Sequence, residues 1–402
     1  MNITYLLTQD LGSPSGLGRY GPIASQMAKS GHNVTVFALH PDIRSLKERT
    51  SSSNGLTVSY VAAMHVQKSG SEKTYYSPAQ LFRVASNATW ALTRAGLSVP
   101  ADIIHICKPH PMNGIAGLVA KYARRANLML DCDDYEAGSG HFESLSQRKL
   151  VAYFERTLPS KVRHITTNTS FMRENILSWG VPQERITYLP NGVDRERFRH
   201  SEVNRINQIR DQYDLIDREV ISYIGSMSLA SHAVDLLLEA FTIIKSSRPN
   251  AVLLLVGGGE DFTTLQQAAQ ATGLAGDIHF TGRIPPDEIP DYYRLSDISV
   301  DPVYDDKAAR GRSPLKLFES WACGVPIVTA DVGDRKSLLS DPPAGLLSRA
   351  GDADSLARSI DRILENPSLA ETIRANGFIQ VEQYYWDVLA KRLENVYRSI
   401  TT

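Results

Sequence analysis

The sequence predicts an α/β protein of two doubly wound, parallel-sheet domains, and three observations carry that expectation. Short β-rich runs alternate with helical patterns along the first half, and the alternation restarts at residue 219. The runs of the second half are almost continuously apolar, as strands covered on both faces by helices must be. At 402 residues the chain also exceeds what one ordinary core fills.

The elements follow in order. "ITYLLT" is a strand, a glycine-rich loop follows, and "YGPIASQMAKSG" is a helix leading to the strand "NVTVFAL". Ser77-Pro78 opens the helix "SPAQLFRVASNATWALTRAG" by a cap-plus-proline start. "ADIIHIC", "NLMLDC" and "HITTN" continue the strand series, and "YLPNGVDRERF" reads as a strand end, a turn at Asn191-Gly192 and a helix start at Asp194. The polar stretch 199–218 is the expected domain boundary. The second series runs "VISYIG", helix 232–248, "AVLLLVGGG", helix 261–273, "DIHFTGRI", helix 287–296, "DISVDP", helix 313–323 and "PIVTAD". The tail is helical and ends in "YYWDVLAKRLENVYRSI", whose aromatic stripe needs a surface to cover. The expected domains are 1–198, joined by a terminal helix at about 384–402, and 199–383. In such sheets ligands bind beyond the C-terminal strand ends, so the cleft between the domains is the expected site.

A 42% hydrophobic, 22% charged composition with net charge −1 describes a globular protein without a polyanion partner such as nucleic acid. Cys107, Cys132 and Cys323 show neither disulfide nor zinc spacing. The N-terminus "MNITYLLTQD" lacks a basic leader region, and no run of about eighteen apolar residues occurs. The expectation is a cytoplasmic protein, at most peripheral at the inner face of a membrane.

In "RGRSPLKLFESWACGVPIVTADVGD", Ser313 is a suitable N-cap, Pro314 a suitable first helical residue and Cys323-Gly324 the stop. Lys316 then lies in the first turn, where a cation faces the positive end of the helix, with Arg310 and Arg312 just before it. Such a cluster suits a bound anion, and Glu319, one turn deeper, can accept hydroxyls. The pattern suggests a phosphate beside a diol; a solvated basic loop with an intrahelical Lys–Glu pair is the plainer alternative.

Gly16, Gly18 and Gly21 have dinucleotide-fingerprint spacing, but the residues from Gln9 to Ser15 make the loop too long to seat a pyrophosphate tightly. The loop can still offer backbone N–H groups. Asp131, Asp133 and Asp134 follow a strand and could hold a metal, orient a hydroxyl or cap the next segment. His105 in the neighbouring strand reads more simply as a structural histidine. "VGGGED", with Gly257, and "FTGRI", with Arg283, bring backbone close to a flat ligand or are ordinary strand exits. Lys121, Arg124 and Arg125 share a helix face that could meet an anionic membrane or simply be solvated.

In order, "VISYIGSM", "HAVDLLLEAF", "AVLLLVGGGED", "HFTGRIPPDEIPDYYRLSDISVDP" and "SPLKLFESWACGVPIVTADVGD" resemble the donor domain of glycosyltransferase family 4, and "LPNGVDRERF" with the loop at 12–21 is similar to its N-terminal half. The resemblance implies the GT-B fold, with an acceptor domain, a nucleotide-sugar domain and a final helix returning to the first. It implies a retaining, metal-independent transferase that moves a sugar from a UDP- or GDP-sugar to an acceptor hydroxyl in cell-envelope polysaccharide, glycolipid or glycoconjugate synthesis. No cofactor beyond the nucleotide-sugar substrate is expected. The donor set it implies is Gly225, Ser226, His232, Gly257, Arg283, Arg312, Ser313, Pro314, Leu315, Lys316 and Glu319. Lys316 and the Leu315 and Lys316 N–H groups would meet the diphosphate, and Glu319 the ribose.

Gly16, Gly18, Arg19 and His105 are the expected acceptor set, and Asp133 and Asp134 join Lys316 as catalytic candidates. Three positions depart from the family pattern. Gly311 replaces a frequent glutamate, Ser226 and His232 replace a usual arginine and lysine, and Asp133 falls near the usual histidine. Lys316, with Arg310 or Arg312, is left to neutralise the diphosphate. A member that binds nucleotide or sugar without transfer, and a GT-B nucleotide-sugar epimerase, are the alternatives. Acceptor recognition is expected in the loops 66–77 and 135–147.

Overall fold

The computed structural model describes residues 1–69, 72–139, 142, 144–199 and 202–401. The chain divides into two compact units. The first is Met1–Gly192 with Gly311–Ser313 and Trp386–Thr402, and the second is Val193–Arg310 with Pro314–Tyr385. The expected loops 66–77 and 135–147 fall partly outside the described residues.

The first unit contains β1 (Asn2–Leu7), β2 (Asn33–His40), β3 (Thr50–Ser53), β4 (Leu56–Ala63), β5 (Val66–Ser69) and β6 (Glu72–Tyr75). It continues with β7 (Ile103–Cys107), β8 (Asn127–Cys132), β9 (His164–Thr167) and β10 (Ile186–Tyr188). Its main sheet has the order β10-β9-β8-β7-β1-β2-β4-β3, parallel except for β3 against β4. A separate antiparallel pair, β5-β6, completes it. One sheet face packs on Ala88, Leu92, Met112, Ala116 and Ala120 from the helices Pro78–Gly96 and Pro111–Arg124. The other packs on the helix Gly21–Lys29 and on the terminal helix Trp386–Thr401 through Trp386, Leu389, Leu393 and Tyr397. The terminal aromatic stripe therefore covers the first unit's own core.

The second unit contains β11 (Glu219–Ile224), β12 (Ala251–Val256), β13 (Ile278–Gly282), β14 (Ile298–Asp301), β15 (Ile327–Ala330) and β16 (Leu346–Ser348). They form one parallel sheet in the order β13-β12-β11-β14-β15-β16. All six residues of β12 are buried, which is why its sequence shows no polar alternation.

The predicted fold class, two doubly wound parallel-sheet units, is thus present. Its details differ in two places. The chain passes into the second unit at Val193, and the polar stretch placed at the boundary instead holds the helix Val203–Gln212, of which only Ile209 is buried. The terminal helix starts at Trp386, after a short 3₁₀ turn at Glu382–Tyr384. No helix among the described residues is long and apolar enough to cross a membrane.

Candidate functional site

In the second unit the strand order reverses between β11 and β14, and the crevice beyond their C-terminal ends is where a doubly wound sheet takes its ligand. Gly225 follows β11, Gly257 follows β12, Arg283 follows β13 and Asp301 ends β14. Backbone bonds tie the first loops together: Gly225 N–H to the Val256 carbonyl at 2.9 Å, Met227 N–H to Gly258 at 3.1 Å and Gly257 N–H to Gly282 at 3.0 Å. Gly257 has φ of +131°, and a Cβ there would stand 2.0 Å from the Gly225 oxygen, so only glycine lets these strand ends meet. The Arg283 stem lies over Gly258, 3.1 Å from where a Cβ would be.

The helix Leu315–Ala322 starts later than the cap-plus-proline rule predicts. Pro314 is its N-cap, and Ser313 makes no capping bond. The Ser313 hydroxyl instead accepts the Asn191 N–H at 3.2 Å within the first unit. Lys316 still occupies the first turn. Its Nζ donates to Asp301 Oδ1 at 3.1 Å and lies 5.1 Å from the Tyr223 ring centre. The guanidinium of Arg335 grips Oδ2 of the same carboxylate at 3.0 and 2.9 Å. Burial works against the Asp301 charge, but Lys316 and Arg335, helped by His232, outweigh it and hold its carboxyl well below the usual range.

Two cations on one buried carboxylate leave a surplus positive charge at a helix N-terminus, the arrangement that binds phosphate. His232 belongs to this group, its ring 6.3 Å from that of Tyr223, whose hydroxyl donates to the Ser226 carbonyl at 2.6 Å. Glu319 is partly exposed, and Tyr293 donates to its Oε2 at 3.0 Å. Burial pushes the Glu319 carboxyl up despite Arg197, Tyr293 and Lys316. Arg310, offered by sequence as a helper cation, pairs instead with Asp305 at 2.7 Å on the surface, while Arg312 is partly buried just before the helix.

In the first unit the order reverses between β1 and β7. Gly16, Gly18 and Arg19 form a single π-helical turn, Gly16–Tyr20, after β1. A Cβ at Gly16 would stand 2.4 Å from the Leu11 oxygen, which explains that glycine without any ligand. Arg19, 1% exposed, makes a two-point grip on Asp131 at 2.7 Å through both Nε and Nη2. Tyr20 and Thr166 also donate to that carboxylate, at 3.0 and 2.5 Å. Its acidity is set by opposition: burial raises the Asp131 carboxyl, Arg19 lowers it, and the lowering wins. His105 is buried with Nδ1 2.6 Å from the Tyr397 hydroxyl. Arg19 and His105 therefore leave the expected acceptor set. Both are interior groups with interior partners.

Asp133 and Asp134 do come together, around a residue sequence reasoning missed. Lys108, at φ +73° just after β7, places Nζ 2.9 Å from Asp133 Oδ1, 2.9 Å from Asp134 Oδ2 and 2.6 Å from Glu136 Oε1. These three acids have the mutual spacing of a metal-ion set, and an ammonium sits among them. The Asp133 contact is an ion pair off the hydrogen-bonding directions. Burial raises the Asp133 carboxyl, Lys108 opposes it, and Asp134, Asp131 and Glu136 add to the rise, which wins. The lysine is buried too, yet the three acids keep it charged, well above its ordinary value. Asp134, 26% exposed, is the most open of the three acids. Beyond them, His110 Nε2 meets Glu136 Oε2 at 2.9 Å, and Glu155 accepts the Glu136 and Ala137 N–H groups at 2.7 and 3.2 Å.

Signals for the missed residues exist. Asp301 is a carboxylate ending a strand at the switch point, Arg335 repeats the cation-in-first-turn pattern of Lys316, and Lys108 directly follows an apolar strand.

Residues 15–192 match the family model "Glycosyl transferase 4-like domain", and residues 206–380 match "Glycosyl transferases group 1". The chain is 27% identical over 288 residues, 71% of its length and 74% of the relative's, to a GDP-mannose-dependent α-(1-6)-phosphatidylinositol monomannoside mannosyltransferase of Mycobacterium tuberculosis. Among solved structures it is similar to sucrose-phosphate synthase from Thermosynechococcus elongatus, with TM-score 0.78, 20% identity and coverage of 100% and 99% of the two chains. It is also similar to Anabaena HepE in complex with UDP, with TM-score 0.73, 18% identity and coverage of 99% and 100%.

Proposed function

The chain belongs to glycosyltransferase family 4, with the GT-B fold, and on that premise we propose that this nucleotide-sugar glycosyltransferase works with retention and without a metal ion. The carrying observation is the Lys316–Asp301–Arg335 group at the N-terminus of Leu315–Ala322. The donor's diphosphate sits against Lys316 Nζ and the Leu315 and Lys316 N–H groups. As the sugar–phosphate bond breaks, negative charge grows on the departing phosphate, where these fixed donors and cations are stronger in the transition state than before it. The same phosphate oxygen takes the acceptor hydroxyl's proton as the new glycosidic bond forms on the face being vacated.

Glu319, anchored by Tyr293, takes the ribose diol. Asp134 contacts a sugar hydroxyl, and backbone at Gly16 and Gly18 lines the acceptor side. The Lys108 ammonium among Asp133, Asp134 and Glu136 supports the metal-free reading, because a cation of the protein's own already sits among the carboxylates a divalent ion would need. The GDP-mannose-dependent relative makes GDP-mannose the first donor to try, and a glycolipid of the cell envelope the first acceptor class.

The test is calorimetric titration with UDP, GDP, ADP and NAD, each with EDTA and with magnesium, followed by turnover with the matching sugar nucleotide. One nucleoside diphosphate should bind in EDTA, and Lys316→Ala should weaken it about 100-fold. Binding only with magnesium would overturn the metal-free reading. Binding of NAD alone would overturn the donor site, and nucleotide binding without turnover would favour the non-transferring alternative.

A further inference from the structure

Three helices of the first unit lie side by side: Pro78–Gly96, Pro111–Arg124 and Leu145–Thr157. A Cβ on Gly96 would lie 3.8 Å from that of Ala120, and a Cβ on Gly114 would lie 3.2 Å from the Phe154 ring, which fixes their neighbourhood. The inward edges of the first two carry the small and aliphatic residues of the core. Their outward edges ought to be polar. Instead, Phe82 and Tyr122 are each 76% exposed and Trp90 and Tyr153 each 61%, with Val119 and Leu150 among them.

Cations share these helices. Arg83 and Arg94 lie on the first, Lys121 and Arg124 on the second with Arg125 just beyond it, and three more lie on the third. The Arg94 guanidinium sits 5.5 Å from the Trp90 ring centre and the Lys121 ammonium 5.7 Å from that of Tyr122. The only carboxylate on the three helices, Glu155, is 2% exposed and bound to backbone. The whole chain carries a net charge of −1, so this is a local asymmetry and not a general basicity.

We propose that this face docks the protein on the surface of an anionic lipid bilayer. Tyrosine and tryptophan suit the headgroup level, where one side of the ring is apolar and the other wet. Arg83 and Arg94 reach anionic headgroups around them, and Lys121 and Arg124, which donate to the Lys161, Val99 and Leu97 carbonyls, add positive charge beside them. The interspersed Val119 and Leu150 gain from shallow burial in acyl chains and would gain nothing from stacking on nucleobases. A two-fold dimer through this face would set its cations against the same cations of a second copy, with no acid to answer them. The inference rests on the surface alone and not on the transfer reaction.

The experiment is co-sedimentation of the full chain with vesicles of pure phosphatidylcholine and with vesicles of equimolar phosphatidylcholine and phosphatidylglycerol. Binding is expected only to the anionic vesicles, and added salt should weaken it. Trp90 is the exposed member of the four tryptophans, so emission should shift to the blue on binding, and Trp90→Phe should remove the shift. Arg83→Ala with Arg94→Ala should lower the partition coefficient roughly 20-fold, at about fivefold per cation. The triple change of Phe82, Trp90 and Tyr122 to serine should abolish binding. Equal affinity for both vesicles, no affinity for either, or undiminished binding by the triple variant would overturn the proposal. So would a dimer in sedimentation velocity that Tyr122→Glu dissolves. Nucleotide affinity of every variant should stay at the parent value, which keeps failure here separate from failure of the donor site.

Discussion

A lysine in the first turn of a helix is unfavourable unless an anion faces it, and Asp301 is an anion that does. Because Arg335 alone still neutralises Asp301, Lys316→Ala should leave urea stability within about 1 kcal/mol of the parent while kcat/KM falls about 100- to 1,000-fold. Comparable losses in both would make Lys316 a structural residue. Arg19 carries the opposite expectation. Arg19→Met strands the Asp131 charge in the interior and should cost about 3–5 kcal/mol, part of which Arg19→Met with Asp131→Leu should restore. A stable Arg19→Met protein with a raised acceptor KM would return Arg19 to the acceptor set.

Glu155 supplies the pH test. Burial and the Glu136 charge push its carboxyl up to about 8 from 4.5, against the pull of two backbone N–H groups. Between those values the folded chain holds a proton that the unfolded chain has released. Its stabilisation is complete below pH 4.5 and is lost as pH rises through 8, and the raised Asp133 carboxyl acts in the same direction. Asp131 and Asp301, both lowered, lose theirs on the acid side. The melting temperature should therefore fall from mildly acidic pH towards pH 8, and Glu155→Gln should flatten that limb. Parallel profiles for parent and variant would rule Glu155 out as its cause.

At the scale of the element, the terminal helix stabilises the first unit because Leu389, Leu393 and Tyr397 lie on its sheet face. Leu393→Ala should cost about 2–5 kcal/mol in chemical denaturation, a core cavity value, although the residue is only eight from the described end. A cost under about 1 kcal/mol would show that the helix is a loose appendage. Which elements were legible follows from burial. The parallel strands announced themselves because both faces are covered, and the terminal helix because its apolar stripe had to face something. β3 reads "TSSS" and is exposed throughout, so it carries no apolar signal at all. The helix Val203–Gln212 hid because its apolar residues, Val203, Ile206 and Ile209, are few among polar ones and only Ile209 is buried. The start at Ser313 was misplaced because a serine cap is a local option, and here a partner distant in sequence took its hydroxyl. The donor cluster was half legible: helix-end chemistry exposed Lys316, whereas its meeting with Asp301 and Arg335 needed the strand order. The Lys108 cage was not legible, because three acids after a strand look alike whether a metal or an ammonium sits among them.

At the scale of the molecule, each unit has a core of its own, so calorimetry should resolve two unfolding steps, as expected of domains with separate cores. The donor residues Gly225, Asp301, Lys316, Glu319 and Arg335 all belong to the second unit. A nucleoside diphosphate should therefore raise only the step that belongs to Val193–Arg310 with Pro314–Tyr385. At 100 times Kd the stabilisation is about 2.7 kcal/mol, and a unit of about 190 residues should move up by about 5–10 °C. The steps can be assigned independently, because Leu393→Ala should lower the first unit's step alone. With EDTA present the shift should persist, and in Lys316→Ala, with affinity down about 100-fold, it should shrink to about 1–2 °C. A nucleotide that raised the step lowered by Leu393→Ala would place the anion site in the first unit, beside Lys108 and the glycine turn at Gly16–Tyr20, and would withdraw the donor role from Lys316.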